Sequence, residues 1–313
     1  MKRTLFLFTL VLTFMTASFG QTAAQYLEKG NAFYKNKQYA EAIAEYNSAI
    51  RLSPSSPEPW FNRAQCHYFR GSYVLAINDY SQALVLRPNY VDALFQRGLS
   101  YNKNKQHDLA IADYTRGITL APTDPQLFYN RGIAYSDKGT LDLALVDYNK
   151  AISLNPNYMK AYVNRSSVYF RQKKHDVALA DINRAIQLDP TYLEAWNNRA
   201  VIYNTTNLPD LAIADLNKAL SLNPGYAKAY LDRAIAYNKK KLNDNSIADL
   251  NKAISLDPKY VNALVFRGAV YFDLKRYDLS EADLKKVLEL SPGHTFATNV
   301  LARIAALPRP AQQ

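Results

Sequence analysis

Cysteine is nearly absent from this chain. Cys66 stands alone among 313 residues, so no intramolecular disulfide can form and stability has to come from a packed core. Glycine is scarce, at 10 residues, and no glycine-rich phosphate loop occurs. The four histidines, His67, His107, His175 and His294, show no metal-ligand spacing. No lysine or arginine run concentrates the net charge of +11. Beyond the first twenty residues no segment is apolar enough to span a membrane. What the chain has in quantity is hydrophobic side chains, at 48%, and tyrosine, at 24 residues. That supply suits packed helices carrying aromatic knobs and excludes a disordered chain.

The start of the sequence differs from the rest. Lys2 and Arg3 precede a run from Leu5 to Phe14 that is apolar except for threonines, followed by Ala17, Ser18, Phe19 and Gly20. This pattern predicts a secretory signal peptide over residues 1–20. The alternative, an uncleaved membrane anchor, is disfavoured because the run is short for a span. The lipoprotein route lacks the cysteine it needs. Loss of Lys2 and Arg3 would lower the net charge from +11 to +9. The expected location is therefore periplasmic or extracellular. The sequons at Asn164 and Asn204 fall within helical patterns where glycans would obstruct packing, which favours a Gram-negative bacterial source.

Eight prolines recur at a step of 34 residues: Pro54, Pro88, Pro122, Pro156, Pro190, Pro224, Pro258 and Pro292. With proline as position 32, the repeats are 23–56, 57–90, 91–124, 125–158, 159–192, 193–226, 227–260 and 261–294. Position 4 is large, as in Tyr26, Trp60 and Phe128. Position 8 is small, as in Gly30, Ala64 and Ser166. Position 11 is aromatic in every repeat except the second, which has His67. Positions 4, 8 and 11 form one helical stripe, and positions 20, 24 and 27 (Ala76, Tyr80 and Ala83 in repeat 2) form another. Position 30 is always leucine, and the proline behind it stops the second helix. Glu281 and Val287 depart from the pattern in repeat 8. Residues 295–306 read as one more amphipathic helix, through Phe296, Val300 and Ile304, that solvates the end. Residues 307–313 read as a short tail.

This pattern resembles the tetratricopeptide repeat family over nearly the whole chain after residue 22. The resemblance implies an all-α solenoid: antiparallel helix pairs stacked as a right-handed superhelix, with the first helix of each pair lining a concave groove. No pair can bury its own faces, so stability comes from neighbours. It also implies a scaffold for protein partners. Neither an enzyme nor a cofactor is expected, because no reactive groups converge and only 19 residues follow the last repeat. His107 and His175 read as solvated turn residues, His67 as a core histidine, and Cys66 as a small packing residue.

Two charged rows stand out. Position 7 is arginine in every repeat but the first, including Arg63, Arg131 and Arg165. Position 23 is aspartate in the same seven repeats, including Asp79, Asp147 and Asp181. A row of arginines invites a nucleic-acid reading. Both positions border a buried stripe, however, and repeat 1 changes both together, to Lys29 and Glu45. Structural ion pairs are therefore expected, with no nucleic-acid partner. The two-carboxylate clamp of the family's chaperone-tail receptors finds no three successive repeats that fit.

The expected binding surface is the concave groove, mostly in its N-terminal half. Position 6 carries Asn62, Gln96, Asn130, Asn164 and Asn198, with Asp232 after them. These resemble the asparagine ladder of the family's glycosyltransferase members, which holds a peptide backbone: an amide offers both a donor and an acceptor. Tyr34, Phe61, Tyr68, Phe95 and Tyr129 at positions 5 and 12 are expected to be exposed aromatic anchors. The alternative role is structural, within an envelope assembly. There, a basic edge at positions 13–16, including Lys35, Lys37, Lys105 and Lys173, would contact anionic polymer or lipid. Aspartates at position 18, such as Asp108 and Asp176, are expected to cap the second helices.

Overall fold

The structure is a computed structural model that describes residues 21–307. The expected signal peptide, residues 1–20, and residues 308–313 of the expected tail lie outside the described residues. Among the described residues every regular element is an α-helix. The chain divides after Pro122 into two compact units. The first holds α1 (Ala23–Lys35), α2 (Tyr39–Leu52), α3 (Pro57–Phe69), α4 (Tyr73–Leu86), α5 (Val91–Lys103) and α6 (His107–Leu120). The second begins with α7 (Pro125–Lys138), α8 (Leu141–Leu154), α9 (Met159–Arg171), α10 (His175–Leu188), α11 (Leu193–Thr205) and α12 (Pro209–Leu222). It continues with α13 (Ala227–Lys239), α14 (Asn243–Leu256), α15 (Val261–Asp273), α16 (Tyr277–Leu290) and α17 (Thr295–Ala305). Within each unit the two helices of each pair pack together, and each second helix packs on the first helix that follows it. The cores follow this rule: Val163 of α9, Ile182 and Ala185 of α10, and Ala195 and Ile202 of α11 form one cluster. No repeat completes its own core.

The turn inside each pair is tight. The turn residue at position 15 has positive φ in every repeat: Lys37, Lys105, Lys173, Asn207, Lys241 and Lys275 near +60°, with glycine only at Gly71 and Gly139. The left-handed turn lets Lys105 N–H reach the Asn102 carbonyl at 3.0 Å and Gln106 N–H the Tyr101 carbonyl at 2.8 Å, satisfying the last carbonyls of the helix. The expected caps at position 18 are corrected here. Each second helix starts at position 17, so its cap residue is at position 16, and those side chains (Gln106 in α6, Lys174 in α10) make no capping bond. Asp108 and Asp176 lie inside the first turn, where they complement the positive helix end.

Close approach within a pair takes two forms. In repeats 1, 3 and 4 a glycine at position 8 faces a tyrosine at position 24. A Cβ on Gly98 would lie 2.6 Å from Tyr114 Cε1, and one on Gly132 2.7 Å from Tyr148 Cε1. Tyr46, Tyr80, Tyr114 and Tyr148 are all fully buried. In repeats 5 to 8 position 24 becomes Ile182, Leu216, Leu250 and Leu284, also fully buried. There, serines join the two helices: Ser166 Oγ donates to the Ala178 carbonyl, Ser246 Oγ to Ala234 and Ser280 Oγ to Gly268, at 2.8–2.9 Å.

The arginines at position 7 lie across the joints between repeats. Arg63 Nε and Nη2 donate to Asp79 Oδ2 and Oδ1 at 2.7 and 2.6 Å, while Nη1 donates to Asn47 Oδ1 of the preceding repeat at 2.6 Å. Arg97, Arg165, Arg199, Arg233 and Arg267 repeat the geometry, using Ser81, Asn149, Asn183, Asn217 and Asn251 as the second acceptor. Arg131 forks onto Asp147 at 2.8 Å through both nitrogens, and Arg165 onto Asp181 at 2.8 and 2.6 Å. Bidentate pairing of this kind is among the stronger protein hydrogen bonds. The bond to Asp147 raises the Arg131 guanidinium above its ordinary pKa against the opposing effect of burial. The second acceptor stands at position 25, which is asparagine in repeats 1, 4, 5, 6 and 7, serine in repeat 2, threonine in repeat 3 and lysine in repeat 8.

Cys66 is fully buried, and burial pushes its thiol up to about 12, so it is protonated and inert at neutral pH. His67 Nε2 lies 3.8 Å from Asp79 Oδ2, and burial lowers its pKa. The solvated reading of the turn histidines is corrected. Both are half-buried at the first position of their helices, with His107 Nδ1 3.1 Å from Asn102 Oδ1 and His175 against the Phe170 ring.

Candidate interaction face

The position-6 amides do not form a uniform open row. Asn62 Nδ2 donates to Asn31 Oδ1 at 2.9 Å, an oxygen that also accepts from Tyr46 Oη. Asn130 is 9% exposed and donates to the Gln126 carbonyl of its own helix at 2.8 Å. Asn164 Nδ2 donates to Tyr129 Oη at 3.0 Å. Gln96 and Asn198 are half-buried. Asn62, Asn130 and Asn164 have thus committed an amide hydrogen to the protein itself.

The aromatic anchors need a larger correction. Phe61 is a core residue at 9% exposure, with its ring 5.6 Å from Tyr80 and 4.8 Å from Tyr90. Phe95 leans on Tyr114 at 6.1 Å, and Tyr129 fits between Tyr148 and Tyr158 at 6.1 and 4.8 Å. These position-5 rings pack on the large tyrosines of the second helices and fill the face they were expected to decorate. Tyr34 and Tyr68 join a cluster at the turn edge with Tyr39, Tyr73 and Phe69. Phe69 is 55% exposed and stacks on Tyr39 at 5.5 Å.

Open space occurs on the first-helix face of the second unit. There α9, α11 and α13 lie in sequence, each touching the next. A recess of about 230 Å³ is lined by Ser166, Ser167, Phe170, Arg171, Asn198, Val201, Ile202 and Lys228. Another, of about 200 Å³, is lined by Val201, Asn204, Thr205, Asp232, Ile235 and Lys239. With Val163 and Asn197 at position 5 in place of phenylalanine or tyrosine, this stretch is not filled by rings. Amide, hydroxyl, ammonium and carboxylate groups there can exchange hydrogen bonds with a polypeptide. Among the described residues no group of three or more histidine, cysteine or acidic side chains could hold a metal ion. No described helix is long and apolar enough to cross a membrane.

The description "TPR repeat" matches residues 30–69 and 66–105. "Tetratricopeptide repeat" matches 91–124, 125–158, 159–192, 193–226, 227–260 and 261–294. The chain belongs to the tetratricopeptide repeat family. It is a repeat scaffold of the kind that mediates protein interactions. U-box domain-containing protein 70 of Oryza sativa subsp. japonica is 39% identical over 51 residues, 16% of this chain and 6% of that protein. The Hsp70-Hsp90 organizing protein of Triticum aestivum is 48% identical over 40 residues, 13% of this chain and 7% of its own length. These matches span less than a tenth of either plant protein. Among solved structures, a chain of an APC/C hetero-tetramer superposes with a TM-score of 0.66 at 18% identity, covering 90% of this chain and 55% of that one. A tetratricopeptide repeat protein from Parabacteroides merdae gives 0.59 at 18% identity, covering 91% and 100%. Both show the solenoid fold alone.

Proposed function

We propose that this tetratricopeptide repeat protein is a non-enzymatic scaffold that holds an extended polypeptide against the first-helix faces of repeats 5 to 7. The observation that carries this reading is the pair of adjoining recesses on α9, α11 and α13, whose lining combines the apolar Phe170, Val201 and Ile202 with the polar Asn198, Asn204 and Lys228. A face with both amide and apolar groups suits a peptide backbone with alternating side chains. The site therefore moves from the N-terminal half, where packed aromatics occupy the face, toward the C-terminal repeats. The proposal includes export, resting on the basic, apolar and small-residue order of residues 2–20. N-terminal sequencing of the protein recovered from the cell envelope tests that part: a start at Met1 removes it.

The binding test is a double variant, Asn198→Ala with Phe170→Ala. Proteins captured by the wild-type chain from its own envelope would be identified and the affinity of each measured for both forms. At least a tenfold loss of affinity in the folded fraction supports the face, with Asn198→Ala alone, which removes no core contact, losing part of it. Equal affinity places the binding surface elsewhere.

One observation favours a second contact. Lysine occupies the left-handed turn position in Lys37, Lys105, Lys173, Lys241 and Lys275, where glycine would avoid a cost of about 1–2 kcal/mol. Charge held at a stability cost suits a basic edge for anionic envelope polymer or lipid. Binding to anionic vesicles should then fall steeply with salt, and salt-insensitive binding eliminates the contact.

A further inference from the structure

Seven buried aspartates in this chain are each gripped by an arginine. Asp232 on α13 is comparably buried, at 8% exposure, yet among the described residues no cation forms an ion pair with it. Its neighbours are amides on α11. Asn197, fully buried, donates from Nδ2 to Asp232 Oδ2 at 2.9 Å. Asn204 Nδ2 donates to the Asp232 main-chain carbonyl at 2.9 Å. The other side-chain atom of each amide, Oδ1, is buried and has no hydrogen-bond partner. Lys239 Nζ donates to the Asn204 main-chain carbonyl at 2.8 Å. Each of these donor groups thus already gives one N–H to a protein oxygen, while the two buried amide oxygens stay without a donor. Burial raises the Asp232 carboxyl above the usual carboxylate range, with the Asn197 bond and Lys228 pulling it back.

Asp232, Asn204 and Lys239 line the recess of about 200 Å³. That space suits a single side chain, since drug-sized ligands occupy about 300–1,000 Å³. We propose that this recess receives the cationic end of a lysine or arginine side chain from the bound polypeptide. A buried carboxylate with no cation paired to it is costly, and an ammonium or guanidinium brings a charge that can pair with it directly and N–H donors for the two unpaired amide oxygens. The two nearby lysines do not fill this role. Lys239 is held on a last-turn carbonyl of α11, where its charge faces the negative helix end. Lys228 lines the adjoining recess.

The guest's being a peptide rests on the proposed groove; the cation preference of the recess does not. The experiment separates the two. The Asn197 and Asn204 side-chain amide signals of the ¹⁵N-labelled protein are followed by NMR during titration with n-butylammonium, and with butanol as control. Nine-residue alanine peptides with a central lysine, arginine, glutamine or norleucine are then compared by fluorescence anisotropy. The expected result is a saturable response to butylammonium alone. Lysine and arginine peptides should bind at least tenfold tighter than the glutamine and norleucine peptides. Asp232→Asn should abolish that preference with the melting temperature unchanged or raised, because an unpaired buried charge has gone. No butylammonium response, or equal affinity for the four peptides, overturns the proposal. So does an Asp232→Asn protein that melts lower and keeps the preference, which would make Asp232 structural. A butylammonium response with no peptide binding keeps the cation site and removes the peptide groove.

Discussion

Repeats 1 to 4 and repeats 5 to 8 solve the same packing problem differently. In the earlier repeats a buried tyrosine at position 24 fills the pair, and in three of the four the first helix gives up its side chain at position 8 to make room. In the later repeats isoleucine or leucine takes that place, and position 8 is serine, alanine or glycine. The choice propagates to the interaction face. Large tyrosines draw Phe61, Phe95 and Tyr129 down onto them, and the face closes. Aliphatic side chains give no such ring surface, position 5 shrinks, and recesses open beside α11. Binding capacity thus follows from what lies one layer beneath.

The arginine joint should be indifferent to this difference, which gives the largest expected effect. Asp113→Ala in the tyrosine region and Asp215→Ala in the aliphatic region should each cost about 3 kcal/mol, the lower end for breaking a buried pair since the arginines keep some solvent contact. Urea denaturation followed by circular dichroism reads both. Unequal losses would mean that the joint depends on the core beneath it.

Glycine to alanine substitution should separate the two regions. Gly98→Ala drives a methyl into the Tyr114 ring and should cost about 1–2 kcal/mol after alanine's helix preference is set against it. Gly268→Ala meets Leu284 Cγ and Cδ2 at 3.0 Å, a milder overlap than with the ring, and should change stability by less than about 1 kcal/mol once alanine's helix preference is set against it. Equal effects in thermal melts would erase the distinction. A smaller change is expected for Asn183→Ala, which removes one acceptor of Arg199 and should cost about 1 kcal/mol in the same denaturation series. The smallest is Lys105→Gly, which relieves the left-handed backbone but loosens the unfolded chain, for a net gain of a few tenths of a kcal/mol, roughly. A loss there would show that the lysine side chain supports the turn.

The helices and their pairing were legible because proline, leucine, the aromatics and the small residues recur at a fixed step, and period is the strongest signal a sequence carries. Arg63 and Asp79 could be matched because they vary together. The face was harder. Phe61 and Asn130 sit at groove register, but register does not say whether a ring is drawn inward by a tyrosine 19 residues later, or whether an amide turns back to its own helix. Asp232 looks in sequence like a variation on asparagine, because its lack of an ion-pair partner is a three-dimensional fact.

Each of six arginines reaches sixteen residues forward to an aspartate and sixteen back to an amide or hydroxyl. Such a link carries no address: nothing in it records which repeat it belongs to. A gene encoding this chain can therefore lose or duplicate a block of 34 codons and still splice compatible surfaces, provided the block brings its arginine, aspartate and acceptor. The length of the solenoid becomes a quantity that selection can adjust in whole units. The series ends where Lys285 takes the acceptor position and pairs with Glu281.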